Sequence, residues 1–188
     1  MNSPRYAPAG LLVESAGARV MIDGGGAAAP SRAIDAWLVT DERCELMPDI
    51  RRRARARGLE PVVASLLVQG LAVEPKPVVL TSHPCWGYLI ETSTRKVGWA
   101  PEFLEFPAWA AGVDLLFAEA AGWQRPIRFA HGAGGHAAVL DVALAAQRLG
   151  VRRLIFAHIG RPTLRAIDDG LLPPFGEVGH DGALYELA

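Results

Sequence analysis

The sequence has few cysteines, no long apolar run and almost no net charge. Only two of its 188 residues are cysteine, Cys44 and Cys85. They make neither a disulfide framework nor a CxxC pair, so a reducing, cytoplasmic setting is expected. No apolar stretch reaches the ~18 residues that a membrane span needs. The first fifteen residues lack a basic segment followed by an apolar core, so no signal peptide is expected either. A formal net charge of −1 provides no global attraction to nucleic acid or to a membrane. No linker or low-complexity segment divides the chain. With 51% hydrophobic residues, one domain over residues 1–188 with a sizeable core is expected.

Charge is uneven locally. Arg51, Arg52, Arg53, Arg55 and Arg57 fall within seven residues. Such a run could bind phosphate or nucleic acid, but no aromatic residue interleaves it. A solvated helix face, with arginine stems lying over apolar neighbours, is the simpler reading, so nucleic acid is not expected as the main partner.

The first half reads as short strands. Residues 10–15 and 18–25 flank an Ala-Gly turn and make a hairpin. Residues 34–40 form a nearly continuous apolar strand. Pro48 opens a helix that Gly58 stops. Residues 61–65 read as a further strand, and the prolines of 71–82 mark an edge. A second hairpin covers 87–93 and 96–100. Residues 113–120 and 151–158 read as buried strands, 134–150 as the clearest helix, 162–170 as a short one, and 183–188 as a closing strand. Strands in front and strand–helix alternation behind imply two sheets packed together with helices outside.

The strand at residues 34–40 ends in a polar turn, "TDERCEL", that contains no histidine. Taken in order, the hairpin ending "IDGG", the strand ending "LVT", the polar turn, the hairpin "GYLIETSTRKVGWAPE" and the segments "GVDLLFAEA" and "GGHAAVLDVALAAQRLGVRRLIFAHIGR" resemble the metallo-β-lactamase superfamily. The likeness runs from Gly10 to Arg161. It is strongest to the ribonuclease Z and cyclic-phosphodiesterase branch. It implies an α/β, αββα sandwich: two mixed sheets face to face with helices outside.

The resemblance also implies where chemistry should sit. In that superfamily the strand ends in Thr-His-x-His-x-Asp-His, and the turn holds two metal ions about 3.5–4 Å apart that ionise a water near neutral pH. Here Thr40 matches the threonine, while Asp41, Arg43, Glu45 and Leu46 fall on the four ligand positions. Asp41 and Glu45 could still offer oxygen. Arg43 would bring a fixed positive charge into the pocket, and Leu46 removes a ligand. The histidine expected before the second hairpin falls on Thr81, with His83 two residues later. The bridging aspartate falls on Glu102. His158 fits the last ligand position, and His136 matches a histidine that serves near the scissile phosphate, as a proton donor. Gly134 and Gly135, in a glycine-rich loop before the expected helix, could cradle a phosphate.

Each of these residues also has a plain structural reading. His158 could be a hydrogen-bonded core histidine, Glu102 a surface turn residue, and the cysteines small buried apolar groups. His131 and His180 match no motif position. The substitutions favour a relative with an eroded dinuclear site and a non-catalytic or binding role, its pocket filled by Arg43 paired with Asp41, Glu45 or Glu102. The alternative is a metal-dependent hydrolase of phosphodiesters or esters. It would have an altered, oxygen-rich site of Asp41, Glu45, Glu102, His158 and His83 that suits zinc, manganese or iron. Either reading admits a small or phosphate-containing ligand and a homo-oligomer, with residues 103–112 as a dimer contact or as a connection packed on the core.

Overall fold

The computed structural model describes residues 5–187. Residues 1–4, part of the segment read for a leader, and residue 188, the end of the expected last strand, lie outside them. The first hairpin is β1 (Gly10–Ser15) and β2 (Ala18–Asp23), followed by the short β3 (Ala36–Leu38) and helix α1 (Met47–Arg55). Next come β4 (Leu66–Val68), β5 (Leu71–Val78), β6 (Cys85–Glu91), β7 (Lys96–Ala100) and β8 (Leu115–Ala120). A two-residue pair, β9 (Ile127–Arg128) and β10 (Gly135–His136), precedes helix α2 (Val139–Arg148), β11 (Arg153–Ile159), helix α3 (Arg161–Asp168) and β12 (Glu177–Val178).

β1, β2 and β3 make one sheet, antiparallel at the hairpin and parallel between β2 and β3. The second sheet has the order β12-β11-β8-β7-β6-β5-β4 and is likewise mixed. Val20, Ile22 and Leu38 of the first sheet pack on Val73, Tyr88, Trp99 and Phe117 of the second, which makes the central core. Outside the small sheet, Met47, Ile50 and Ala54 of α1 cover Met21, Trp37 and Val39. Outside the large sheet, Val139, Val142, Ala143 and Ala146 of α2 and Leu164 of α3 cover Leu116, Leu154 and Phe156. The layers are therefore α, β, β, α, as the sequence implied. Every residue of β8 is buried because it has parallel neighbours on both sides and apolar cover on both faces.

Some elements differ from expectation. The strand around Ile34–Thr40 is regular only over Ala36–Leu38, and residues 61–65 contribute a single bridge from Val62 to Leu38. Helix α2 begins at Val139 rather than in the glycine loop. The described part of 183–188 forms no strand. β5 is not an edge along its whole length. β4 pairs only with Leu71–Val73, so Pro75 and Pro77 lie where β5 does become the edge and no second ladder needs their missing N–H groups. Residues 103–112 pack on the core. Phe103 and Ala110 are buried, and the Trp109 indole donates to the Pro77 carbonyl at 3.0 Å. Among the described residues no helix is long and apolar enough to cross a membrane.

Candidate functional site

The polar turn is held by Asp23, the aspartate of "IDGG". Its carboxylate accepts hydrogen bonds from the Thr40 amide (2.7 Å), the Thr40 hydroxyl (2.9 and 3.0 Å) and the Trp99 indole of β7 (2.7 Å). One side chain thus ties the end of β3 to the facing sheet. Burial raises the Asp23 carboxyl to about 6, even though the bonds from Trp99 and Thr40 oppose the shift. Two further ties run from the second sheet to the same strand end. The Tyr88 hydroxyl donates to the Val39 carbonyl at 3.0 Å, and the Trp86 amide donates to the Thr40 carbonyl at 3.0 Å.

These ties bring Asp41 to the start of β6. His83 Nε2 lies 3.1 Å from both Asp41 carboxylate oxygens. Thr81 Oγ1 lies 2.9 Å from His83 Nδ1 and 3.8 Å from Cys85 Sγ, and it accepts the His83 amide at 3.2 Å. Asp41, His83 and Cys85 each offer a ligand atom within 4.8 Å of the others. The expected histidine position, Thr81, therefore holds the imidazole of His83 instead of being one. Burial, reinforced by the charges of Asp41 and Glu102, raises the Cys85 thiol to about 11.

A second cluster lies at the ends of β8 and β11. Glu119 is completely buried in an otherwise apolar strand. Its carboxylate accepts the amides of Phe103 (3.1 Å), Ala120 (3.0 Å) and Ala121 (2.9 Å). It also accepts His136 Nδ1 at 2.7 Å and His158 Nδ1 at 2.9 Å. Burial alone would raise its pKa, but the charge of His158 and the bonds from both imidazoles outweigh that and hold it low. For His158, burial pulls down and the Glu119 carboxylate pushes up. The carboxylate prevails, and the imidazole titrates at about 9. His158 Nε2 lies 3.6 Å from the Glu102 carboxylate.

The structure thus brings Asp41 to His83, Glu102 to His158, and His136 to His158 through their shared partner Glu119. It does not bring the rest of the turn with them. Arg43 is exposed and makes no ion pair among the described residues; its amide, not its guanidinium, bonds Asp41, at 2.8 Å. The expectation that a buried Arg43 fills the pocket is therefore corrected. Long and fully ionised, its guanidinium stays in water, and Asp41 pairs with His83. Glu45 is exposed and belongs to neither ligand cluster, and Leu46 packs beside α1.

The phosphate cradle is corrected too. The Gly135 amide already donates to the Leu80 carbonyl at 2.9 Å, and a Cβ on Gly134 would lie 1.9 Å from that same oxygen. These glycines serve close packing, and His136 sits in β10, ahead of the helix. His131 and His180 are exposed. In the arginine run, Asp49 pairs with Arg52 and Arg53, and Arg57 lies over the Trp37 ring at 5.9 Å.

Sequence reasoning missed Glu119 and the placement of Cys85. A signal existed for the first, since Glu119 is a lone charge inside "LLFAEA". For Cys85 there was none, because its relation to Asp41 arises only when β6 meets the end of β3.

No protein-family model and no curated protein matches the sequence. Solved structures do match in fold. The metallo-β-lactamase fold protein YhfI from Bacillus subtilis superposes with a TM-score of 0.76 at 14% identity, over 98% of this chain and 94% of that one. A diphosphatase of the PhnP family gives 0.66 at 18% identity, over 92% and 80%. Zn2+-bound PqqB from Methylobacterium extorquens gives 0.68 at 13% identity, over 95% and 87%. At such identities the likeness speaks for architecture alone, and together with the α, β, β, α layering it shows that this chain has the metallo-β-lactamase fold.

Proposed function

We propose that this protein is a metal-dependent hydrolase of phosphodiesters or related esters whose ion site keeps one residue of the turn, Asp41, and otherwise draws on the walls of the pocket. One observation carries the reading. Carboxylate–imidazole pairs from four separate segments, Asp41 with His83 and Glu102 with His158, gather around the ends of β3, β7 and β11. Asp41 and Glu102 supply oxygen donors there, and His83 and His158 supply imidazole nitrogens. Such a mixture of oxygen and nitrogen donors suits a divalent cation, which Asp41 and His83 could hold beside the Glu102–His158 pair. The exposure of Arg43 removes one reason to expect an idle pocket.

A bound divalent ion would supply a water ionised near neutral pH. The chain's own part is acid–base positioning. Glu119 holds His136 through Nδ1, which leaves Nε2 as the atom that delivers a proton to a leaving oxygen. Glu119 holds His158 in the same way and orients its Nε2 toward Glu102.

A second reading, binding without turnover, is favoured by one specific fact. Of the four turn positions, only Asp41 reaches a ligand cluster. The test is elemental analysis of tag-free protein after incubation with zinc, manganese or iron, alongside hydrolysis of bis(p-nitrophenyl) phosphate. The hydrolase reading expects stoichiometric metal that is lost in Asp41→Ala, and turnover that falls about 10²–10⁴-fold in His136→Ala. Metal without turnover, or neither metal nor turnover, would overturn the hydrolase reading and leave the non-catalytic one standing.

A further inference from the structure

We propose that Asp41, His83 and Cys85 form a mixed oxygen–nitrogen–sulfur site for one borderline-soft divalent ion, of which zinc is the type, with Thr81 as the residue that positions it. The inference rests on the reading that the pocket takes a metal, and it says where the ion sits and what kind it is. Cys85 lies at none of the positions to which the sequence resemblance assigned a ligand.

The geometry separates this trio from the other candidate. The ligand atoms of Asp41, His83 and Cys85 lie within 4.8 Å of one another, and those of Glu119, His136 and His158 do likewise. Glu119, however, already accepts three backbone amides and two imidazole N–H groups. A carboxylate so occupied orients histidines and does not ligate. Asp41 is different. Beyond its own turn, where it accepts only the Arg43 amide, both of its oxygens face one ring nitrogen at the same 3.1 Å. One ring N–H shared by two oxygens leaves most of the carboxylate's lone pairs unused, and it holds both oxygens facing the ring nitrogen that a shared ion would also use.

Thr81 fixes the other two donors. Its hydroxyl lies at His83 Nδ1, so that Nε2 is the atom presented to Asp41, and the same oxygen is 3.8 Å from Cys85 Sγ. This is the outer-shell support that metal-binding histidines usually have. Cys85 is 3% exposed and free of any disulfide, and its one polar contact among the described residues is Thr81. The Trp86 amide bond to the Thr40 carbonyl holds the Cys85 segment beside the Asp41 turn.

Three protein ligands leave a fourth position open, as catalytic zinc sites do. A thiolate in the set selects zinc or cobalt over manganese and magnesium. Binding sends the S–H proton of Cys85 to solvent, while His83 ligates as neutral imidazole through Nε2 with its ring proton on Nδ1, donated to Thr81 Oγ1.

Cobalt(II) titration of the tag-free full-length protein tests this with no assay of activity. One equivalent should bind and give a near-ultraviolet sulfur-to-cobalt charge-transfer absorption. Cys85→Ser should abolish that band, and Cys44→Ser should keep it. Thr81→Val should weaken cobalt binding about 10–100-fold, with recovery in Thr81→Ser. Cobalt that binds without the band, or a band that survives Cys85→Ser, would overturn this placement and leave the metal reading intact. No cobalt bound at all would overturn both. If Cys85→Ser fails to fold, a band that persists in Cys44→Ser still assigns the sulfur to Cys85, and a band lost in Cys44→Ser overturns the placement.

Discussion

Glu119 is the residue on which most of the site chemistry turns. A buried carboxylate survives only when its charge is matched and its oxygens are satisfied, and here five donors do both. Glu119→Gln keeps the size but sets an amide NH2 against N–H donors and leaves the imidazoles unmatched. A loss of about 3–5 kcal/mol is expected from urea unfolding. In the metal-free protein the same change should drop His158 from about 9 toward or below the ordinary histidine value, read from its ring resonances by NMR titration. The sign of the pH dependence follows. Because the folded-state pKa is raised, the contribution of His158 to stability is fully present below about 6.5 and is lost as pH rises through about 9. Unfolding curves across that window should show a fall in stability that His158→Gln flattens. A constant stability from pH 6.5 to 9 would contradict the Glu119–His158 charge pair.

At the scale of elements, the turn after β3 is placed from outside itself. Tyr88 of β6 and Trp99 of β7 bond to Val39 and Asp23, so the large sheet sets where Asp41 stands. Tyr88→Phe leaves the buried Val39 carbonyl without its partner and should cost about 1–3 kcal/mol, measured by chemical denaturation. It should also weaken metal binding through displacement of the turn. The loop before β10 is constrained by contact with Leu80. Gly134 has φ +124°, and a Cβ there would lie 1.9 Å from the Leu80 carbonyl oxygen. Gly134→Ala should therefore destabilise the fold by about 1–3 kcal/mol, a value that a neutral surface loop would not show. The second hairpin, α1, β8 and β11 were all legible in the sequence, because apolar alternation, Pro48 and continuous hydrophobic runs act locally. The extra strand expected at 183–188 was not formed over its described part; Tyr185 instead packs its ring edge-on against Phe117.

For the whole molecule, two sheets press Trp99, Phe117, Tyr88 and Ile22 between them, and the candidate site lies where strand ends from both sheets meet. A ligand that binds only the folded protein then stabilises the fold as a unit. Zinc at about one hundred times its dissociation constant should add about 2.7 kcal/mol. That amounts to a rise of roughly 5–10 °C in the thermal midpoint for a chain of this size. Scanning calorimetry with zinc, and then with excess chelator, checks this. A midpoint indifferent to both would argue against any metal in the pocket.

The sequence by itself determined the layered architecture, the position of the turn at Thr40–Leu46 and the candidacy of Asp41, Glu102, His136 and His158. The architecture depends on local periodicity and order along the chain, and the site candidates on the resemblance to the metallo-β-lactamase superfamily. Only the tertiary structure decided that Arg43 stands in solvent, that Glu119 carries both imidazoles, and that His83 and Cys85 meet Asp41. Each of those outcomes depends on which strand ends lie side by side, and on where a charge finds a partner or water. Both are set by the packing of the two sheets rather than by any short stretch of residues.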